Sequence, residues 1–394
     1  MPGKLRMSMR EFRKVQMEPS HAEATWELLK NAIRQIHSQN ASGLSFEELY
    51  RNAYNLVLHK YGSMLYNGLR DVVGAHLRKV AEEVASLTDG SDFVLGVDKA
   101  WADHSLSMIM IRDILLYMDR AYVENKGIKP VYQLGLQLFC TTVIQHPRVE
   151  ARLSAALLDI ITAEREGQIV DRELVKRMTE MYVALGEDSL SVYKQYFETP
   201  FLLQSREYYQ NEALAYIADN SAAAHLRRAA ARLDEERSRV AHCLDASTEA
   251  AILAVVDTEF IANHMKTIVN MDRFGLSAML DGQRVDELEL TYTLLERVAG
   301  GRELLLDALT EYIVSKGKLL VADKMMEAKN GPRSAIPRRG LPASSSPRKS
   351  TTSFSATPFM PTASTRPPST RPLRRLSTST RARPSTSRSL LTVN

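Results

Sequence analysis

Phe46, Tyr50, Tyr54 and Leu58 fall at four-residue steps, a spacing that sets them along one flank of a helix. The chemistry such a series offers is non-covalent, because aromatic rings give large contact area at low entropic cost. The same spacing also suits a helix buried on both faces in an all-helical core. Residues fit for bond-breaking chemistry are scattered. The nine histidines show no metal-ligand spacing; His59 follows the aromatic series, His242 adjoins Cys243, and each is expected to be solvated or at a core edge. Cys243 sits in an amphipathic segment, which predicts a buried structural thiol. Glu47 and Glu48 are sequence neighbours that diverge on a helix, so they form no acid/base pair. There is no Gly-rich phosphate loop, His-Glu-x-x-His or nucleophile elbow. The reading is a non-enzyme with no cofactor or metal.

The helix that carries the aromatic series is expected to begin at Ser45, a good N-cap, with Glu48 three residues on completing a capping box. Leu49, Ala53, Leu56 and Val57 recur at helical spacing and predict its core stripe. Trp26, Leu29, Ile33 and Ile36 line an earlier helix. Leu65, Leu69, Val72, Leu77, Val80 and Val84 line a later one. A further helix from about Phe93 to Val123 carries Met108, Ile111, Leu115 and Met118, and Pro130 breaks the chain before Val131–Ile144. Strand-like alternation is nearly absent, so the class is all-α.

The chain has 394 residues and a formal net charge of +4. From Gly331 onward there are twelve Arg and Lys and no acid; removing them leaves 51 − 12 = 39 bases against 47 acids, a body of −8. An acidic body argues against nucleic-acid binding by the folded part. Two distant cysteines, Cys140 and Cys243, make neither a disulfide framework nor a zinc site and suit a reducing compartment. With no apolar run of membrane-span length and no signal-peptide layout, the expected location is cytoplasmic or nuclear, away from membranes.

Several phrases together resemble the cullin family, and within it the cullins that scaffold BTB-domain adaptors of ubiquitin ligases. The first is LSFEELYRNAYNLVLHKYG from Leu44. WELLKNAI from Trp26, MIMIRDILLYMDRAYV from Met108, REGQIVDRELV from Arg165, HCLDASTEAAI from His242 and HMKTIVNM from His264 agree in order. The resemblance runs from roughly Lys4 to Asn330. It implies an elongated stalk of stacked five-helix repeats after a flexible arm over 1–19. The first repeat would span 20–146 and bind the adaptor, the second 147–263, and a partial third 264–330.

The resemblance also implies a contact surface. The adaptor would dock on the second and fifth helices of the first repeat, through Leu44, Phe46, Glu47, Tyr50 and Tyr54 on the former and Tyr132 on the latter. Met7, Met9 and Phe12 of the arm would add contacts. A RING-box protein is a partner of the full-length family member, through a C-terminal half that also carries the lysine modified by a ubiquitin-like protein. Neither feature is expected in this chain, which would hold an adaptor without placing it near a conjugating enzyme. The class is an interaction scaffold of a cullin-RING ubiquitin ligase, itself non-catalytic.

The last 64 residues hold ten of the fifteen prolines and no acid, a composition expected to be disordered. The family phrase NLNARSPEYLSLFID, read one base out of frame with suitable codons, gives the run Thr378–Thr392. The tail over 331–394 is therefore expected to be an out-of-frame reading, which sequencing the transcript across Asn330 would test. Because a stacked repeat needs a cap, Leu304, Leu305, Leu309, Ile313 and Val314 are expected to form a bare apolar face, and the stalk beyond about Asn263 to be its least stable part. A rival reading is a generic α-solenoid binding module whose basic tail engages RNA or acidic surfaces, with a steep salt dependence.

Overall fold

The computed structural model describes residues 17–88 and 90–330, which fall within one unit of contacts. The expectations for Met7, Met9, Phe12 and the tail lie outside the described residues. Among the described residues the secondary structure is helical throughout, with no strand.

The chain begins with α1 (Pro19–His37), α2 (Phe46–Leu58), α3 (Gly62–Ser86) and α4 (Gly90–Ile114). A turn of helix at Leu116–Met118, a π-turn at Asp119–Val123 and a last turn at Glu124–Lys126 prolong α4. Pro130 then caps α5 (Val131–Phe139), which ends in a π-turn at Cys140–Ile144. Next come α6 (Glu150–Arg165), α7 (Arg172–Leu185), α8 (Thr199–Asp219), α9 (Ala222–Cys243) and α10 (Glu249–Val256). Two short helices, α11 (Met265–Asn270) and α12 (Leu276–Asp281), lead to α13 (Val285–Leu295) and α14 (Gly301–Asn330).

Sequence spacing sets most of the buried faces. Leu29, Ile33 and Ile36 of α1, Leu49, Ala53 and Leu56 of α2, and Leu65, Leu69, Leu77 and Val84 of α3 are all core residues. Val57, Val72 and Val80 sit at the core edge instead, while Val73 and Ala81 take interior positions on α3. Trp26 is also half-buried. It lies flat against α3 at Gly68, where a Cβ would meet the indole at 2.4 Å.

Two expectations are corrected. The helix expected to run unbroken from Phe93 to Val123 breaks at Leu115, whose N–H is shared between the carbonyls of Ile111 (3.0 Å) and Arg112 (3.1 Å). Leu115 at the break and Met118 after it remain fully buried. Of the histidines expected outside the core, His104 and His225 lie within it. Each offsets part of its burial by donating from Nε2 to a backbone carbonyl, Gly135 at 3.0 Å and Phe260 at 2.8 Å respectively. Burial pushes both imidazoles below their ordinary value and keeps them neutral.

Candidate functional site

The second helix starts where its sequence dictates. Ser45 takes an extended conformation and its Oγ accepts the Glu48 N–H at 3.4 Å, satisfying one of the unpaired donors of the first turn. Glu47 and Glu48 then lie where the helix dipole favours acids. With Leu49, Ala53 and Leu56 facing inward, the four-residue series falls on the adjoining flank. Phe46 remains 39% exposed and Leu58 53%. Tyr50 and Tyr54 are half-buried, and so is Leu44, just before the cap. Glu47 projects into solvent and pairs with Arg51 at 2.6 Å, one turn on. An ion pair this exposed adds little stability, which leaves its carboxylate free to serve another purpose.

Tyr54 does not stand alone. Its ring lies 4.3 Å, centroid to centroid, from that of Tyr117, at a tilt of 45°. Tyr117 belongs to the turn after the Leu115 break, which packs directly on α2. Sequence reasoning missed this residue because it read the whole segment as one core helix. The available signal was Tyr117 itself, a half-buried aromatic between the core positions Leu115 and Met118.

The fifth helix is positioned from the same turn. Asp119 accepts the Val131 N–H at 2.9 Å, and Tyr66 donates its hydroxyl to the Lys129 carbonyl at 2.9 Å. Gly127, at φ +62°, makes the reversal between them. These contacts fix the register of α5 and so the place of Tyr132, which is half-buried and leans on the core. Burial raises the Asp119 carboxyl, while the Val131 N–H and then Arg112 favour its charged form. α5 packs on α3 and α4. The structure therefore joins Tyr54 to Tyr117 and places Tyr132 on a separate helix one turn of chain away. Met17, the first described residue, is fastened at the far end of α2. Its N–H donates to His59 Nδ1 at 3.4 Å, and its carbonyl accepts the Tyr61 hydroxyl at 3.1 Å.

Other features of the described residues read as structural. Cys140 and Cys243 are free and buried, and burial pushes both thiols up, away from the reactive thiolate. A cleft of about 640 Å³ between α1 and α3 is lined by Lys30, Arg34, His37, Asp71, His76 and Lys79. There Arg34 occupies the last turn of α1, where the helix dipole favours a positive side chain. The imidazoles of His37 and His76 stack at 4.1 Å with an interplanar angle of 7°.

Amphipathic helices packed in chain order have the make-up of an α-solenoid. A family model described as the cullin alpha solenoid domain matches residues 26–352. The chain belongs to the cullin family. It is 40% identical over 329 residues to Cullin-3 of Dictyostelium discoideum, covering 84% of this chain and 43% of that protein. It is 41% identical over 310 residues to Cullin-3A of Arabidopsis thaliana, covering 79% and 42%. It is 38% identical over 331 residues to Cullin-3 of Caenorhabditis elegans, covering 82% and 42%. The chain thus spans less than half the length of these relatives.

Proposed function

We propose that this chain is a non-catalytic scaffold of cullin-RING ubiquitin ligation that docks a BTB-domain substrate adaptor on its first helical block. The observation that carries this reading is the flank of α2 beside its core stripe, where Phe46 is exposed and Tyr50 and Tyr54 stay half-buried. The similarity to proteins named Cullin-3 over the same residues supports it. Tyr50 and Tyr54 insert their rings into apolar pockets of the adaptor and keep their hydroxyls at the rim. Phe46 and Leu44 extend the apolar contact toward the start of α2, and Tyr132 adds to it from α5. Glu47, at the solvent edge, sets orientation and partner choice more than affinity. None of the described helices is long and apolar enough to cross a membrane.

The test is calorimetric titration of the full chain with a BTB–three-box adaptor, alongside Tyr54→Ala. Removing a central interface aromatic costs about 2 kcal/mol or more, so binding should weaken roughly thirtyfold. No binding by the folded wild-type chain would remove the adaptor reading and leave a solenoid with another partner.

A further inference from the structure

The most extensive apolar surface of the described residues lies at the opposite end of the chain from the aromatic flank, on α14. Only its first half is packed. Leu305 is buried, and Leu304 and Ala308 lean on the core. Asp281 pins the middle of the helix by accepting the Tyr312 hydroxyl at 2.6 Å and pairing with Lys316 at 2.7 Å. Beyond that point Leu319, Leu320, Val321, Met325 and Met326 are each more than half exposed. Large side chains on every side of a helix call for a surround, not for water.

Beside the first half runs an apolar groove of about 310 Å³, walled by Leu276, Leu280, Leu288, Tyr292, Leu306 and Leu309. Leu306, Leu309, Ile313 and Leu320 recur at steps of three, four and seven, so the groove continues into one apolar stripe along the helix. Among the described residues, one end of α14 thus presents a groove without an occupant, and the other end an apolar rod without a cover. Charge runs the same way. Residues 301–313 carry Arg302 against Glu303, Asp307 and Glu311, a net 1 − 3 = −2. Residues 314–326 carry Lys316, Lys318 and Lys324 against Asp323, a net 3 − 1 = +2.

We propose that α14 is a self-association surface, on which a second copy of this chain docks antiparallel so that the projecting half of each α14 lies along the groove of the other. Antiparallel pairing brings each acidic half against a basic half, whereas a parallel pair would oppose like charges. The arrangement is isologous: each copy gives and receives the same contact, the two-fold axis passes near the middle of α14, and assembly closes at two. It does not depend on adaptor binding, which uses α2.

Sedimentation equilibrium of the 394-residue chain should show a monomer–dimer equilibrium. Leu309→Glu combined with Ile313→Glu alters two exposed positions, so the helices should stay folded by circular dichroism while the species becomes monomeric. Orientation is read by disulfide formation. A cysteine at Gly317, where an added side chain meets nothing within 4 Å, should cross-link two copies near the axis, and Met326→Cys, far from it, should not. A monomer at every concentration would overturn the proposal, as would a dimer that survives the double substitution. Open-ended assembly, or cross-linking through position 326 in preference to 317, would overturn the antiparallel closure.

Discussion

Arg165 and Glu236 meet at 3.0 Å with both side chains wholly shielded from solvent. The same carboxylate oxygen accepts from the Tyr209 hydroxyl and from Arg239, and Arg165 also donates to Ser205 at 2.7 Å. Arg239 reaches on to Glu164 at 2.8 Å, so α6, α8 and α9 are tied at one buried point. Burial would raise the Glu236 carboxyl, but the Arg165 and Arg239 guanidiniums hold it below the ordinary range. Glu236→Ala leaves the buried Arg165 without a carboxylate, and Arg239 with Glu164 alone, and should cost about 3–5 kcal/mol. Chemical denaturation should show this large loss, against a change within about 0.5 kcal/mol for the exposed Glu47→Ala.

The Tyr54–Tyr117 pair should be energetically coupled. Such pairs contribute about 0.5–1.5 kcal/mol beyond their burial. Tyr117→Ala and Tyr54→Ala should therefore be non-additive in unfolding free energy by about that amount. Additive losses would mean that the turn after Leu115 is held on α2 by other contacts.

Asp119 should govern the start of α5. Asp119→Ala removes the acceptor of the Val131 N–H and should cost about 1–2 kcal/mol. Asp119→Asn, which keeps an oxygen in the same place, should recover most of it. Equal losses in both variants would contradict the assignment.

Acid should weaken the first helical block. Burial, and then the charges of His76 and His104, hold His37 down to about 3. Burial holds His104 down to about 4, against the pull of its bond to Gly135. Unfolding restores an ordinary value of about 6.5, so the unfolded chain binds these protons more readily. Stability is therefore complete above about pH 6.5 and declines as pH falls toward these folded values, by up to about 1.4 kcal/mol per pH unit and per group. Tm should be lower at about pH 5 than at neutrality, and His104→Gln should flatten part of that slope. A Tm that rises on acidification would exclude it.

Hydrogen exchange should be fastest beyond Asn263. There the helices α11 and α12 have six residues each, and α14 leaves much of its apolar surface in water, so local opening is inexpensive. Protection equal to that of α1–α5 would refute this.

Features with a local cause were legible in the sequence. Ser45 starts α2 because a hydroxyl satisfies a first-turn donor, and Pro130 marks the start of α5, where a missing N–H costs nothing. Of the apolar face expected on α14, Leu309, Ile313 and Val314 are exposed, but Leu305 is buried and Leu304 leans on the core. Features with a distant cause were not. Arg165 lies 71 positions from Glu236, and a periodicity that counts Arg as polar turns it toward solvent. The break at Leu115 has no Gly or Pro to announce it and arises where buried residues on both sides of the turn must meet the core. His104 reads as a surface residue until the Gly135 carbonyl, from another helix, offers it a partner.

The two sequestered thiols give the chain a pair of internal clocks. Cys140 closes the fifth helix and Cys243 the ninth, and neither reacts until its own surroundings open. Alkylation followed by mass spectrometry of the separate peptides would time the opening around each thiol independently, in one sample and without a label. The same inertness lets a dye on a cysteine introduced beside Phe46 report from that flank alone.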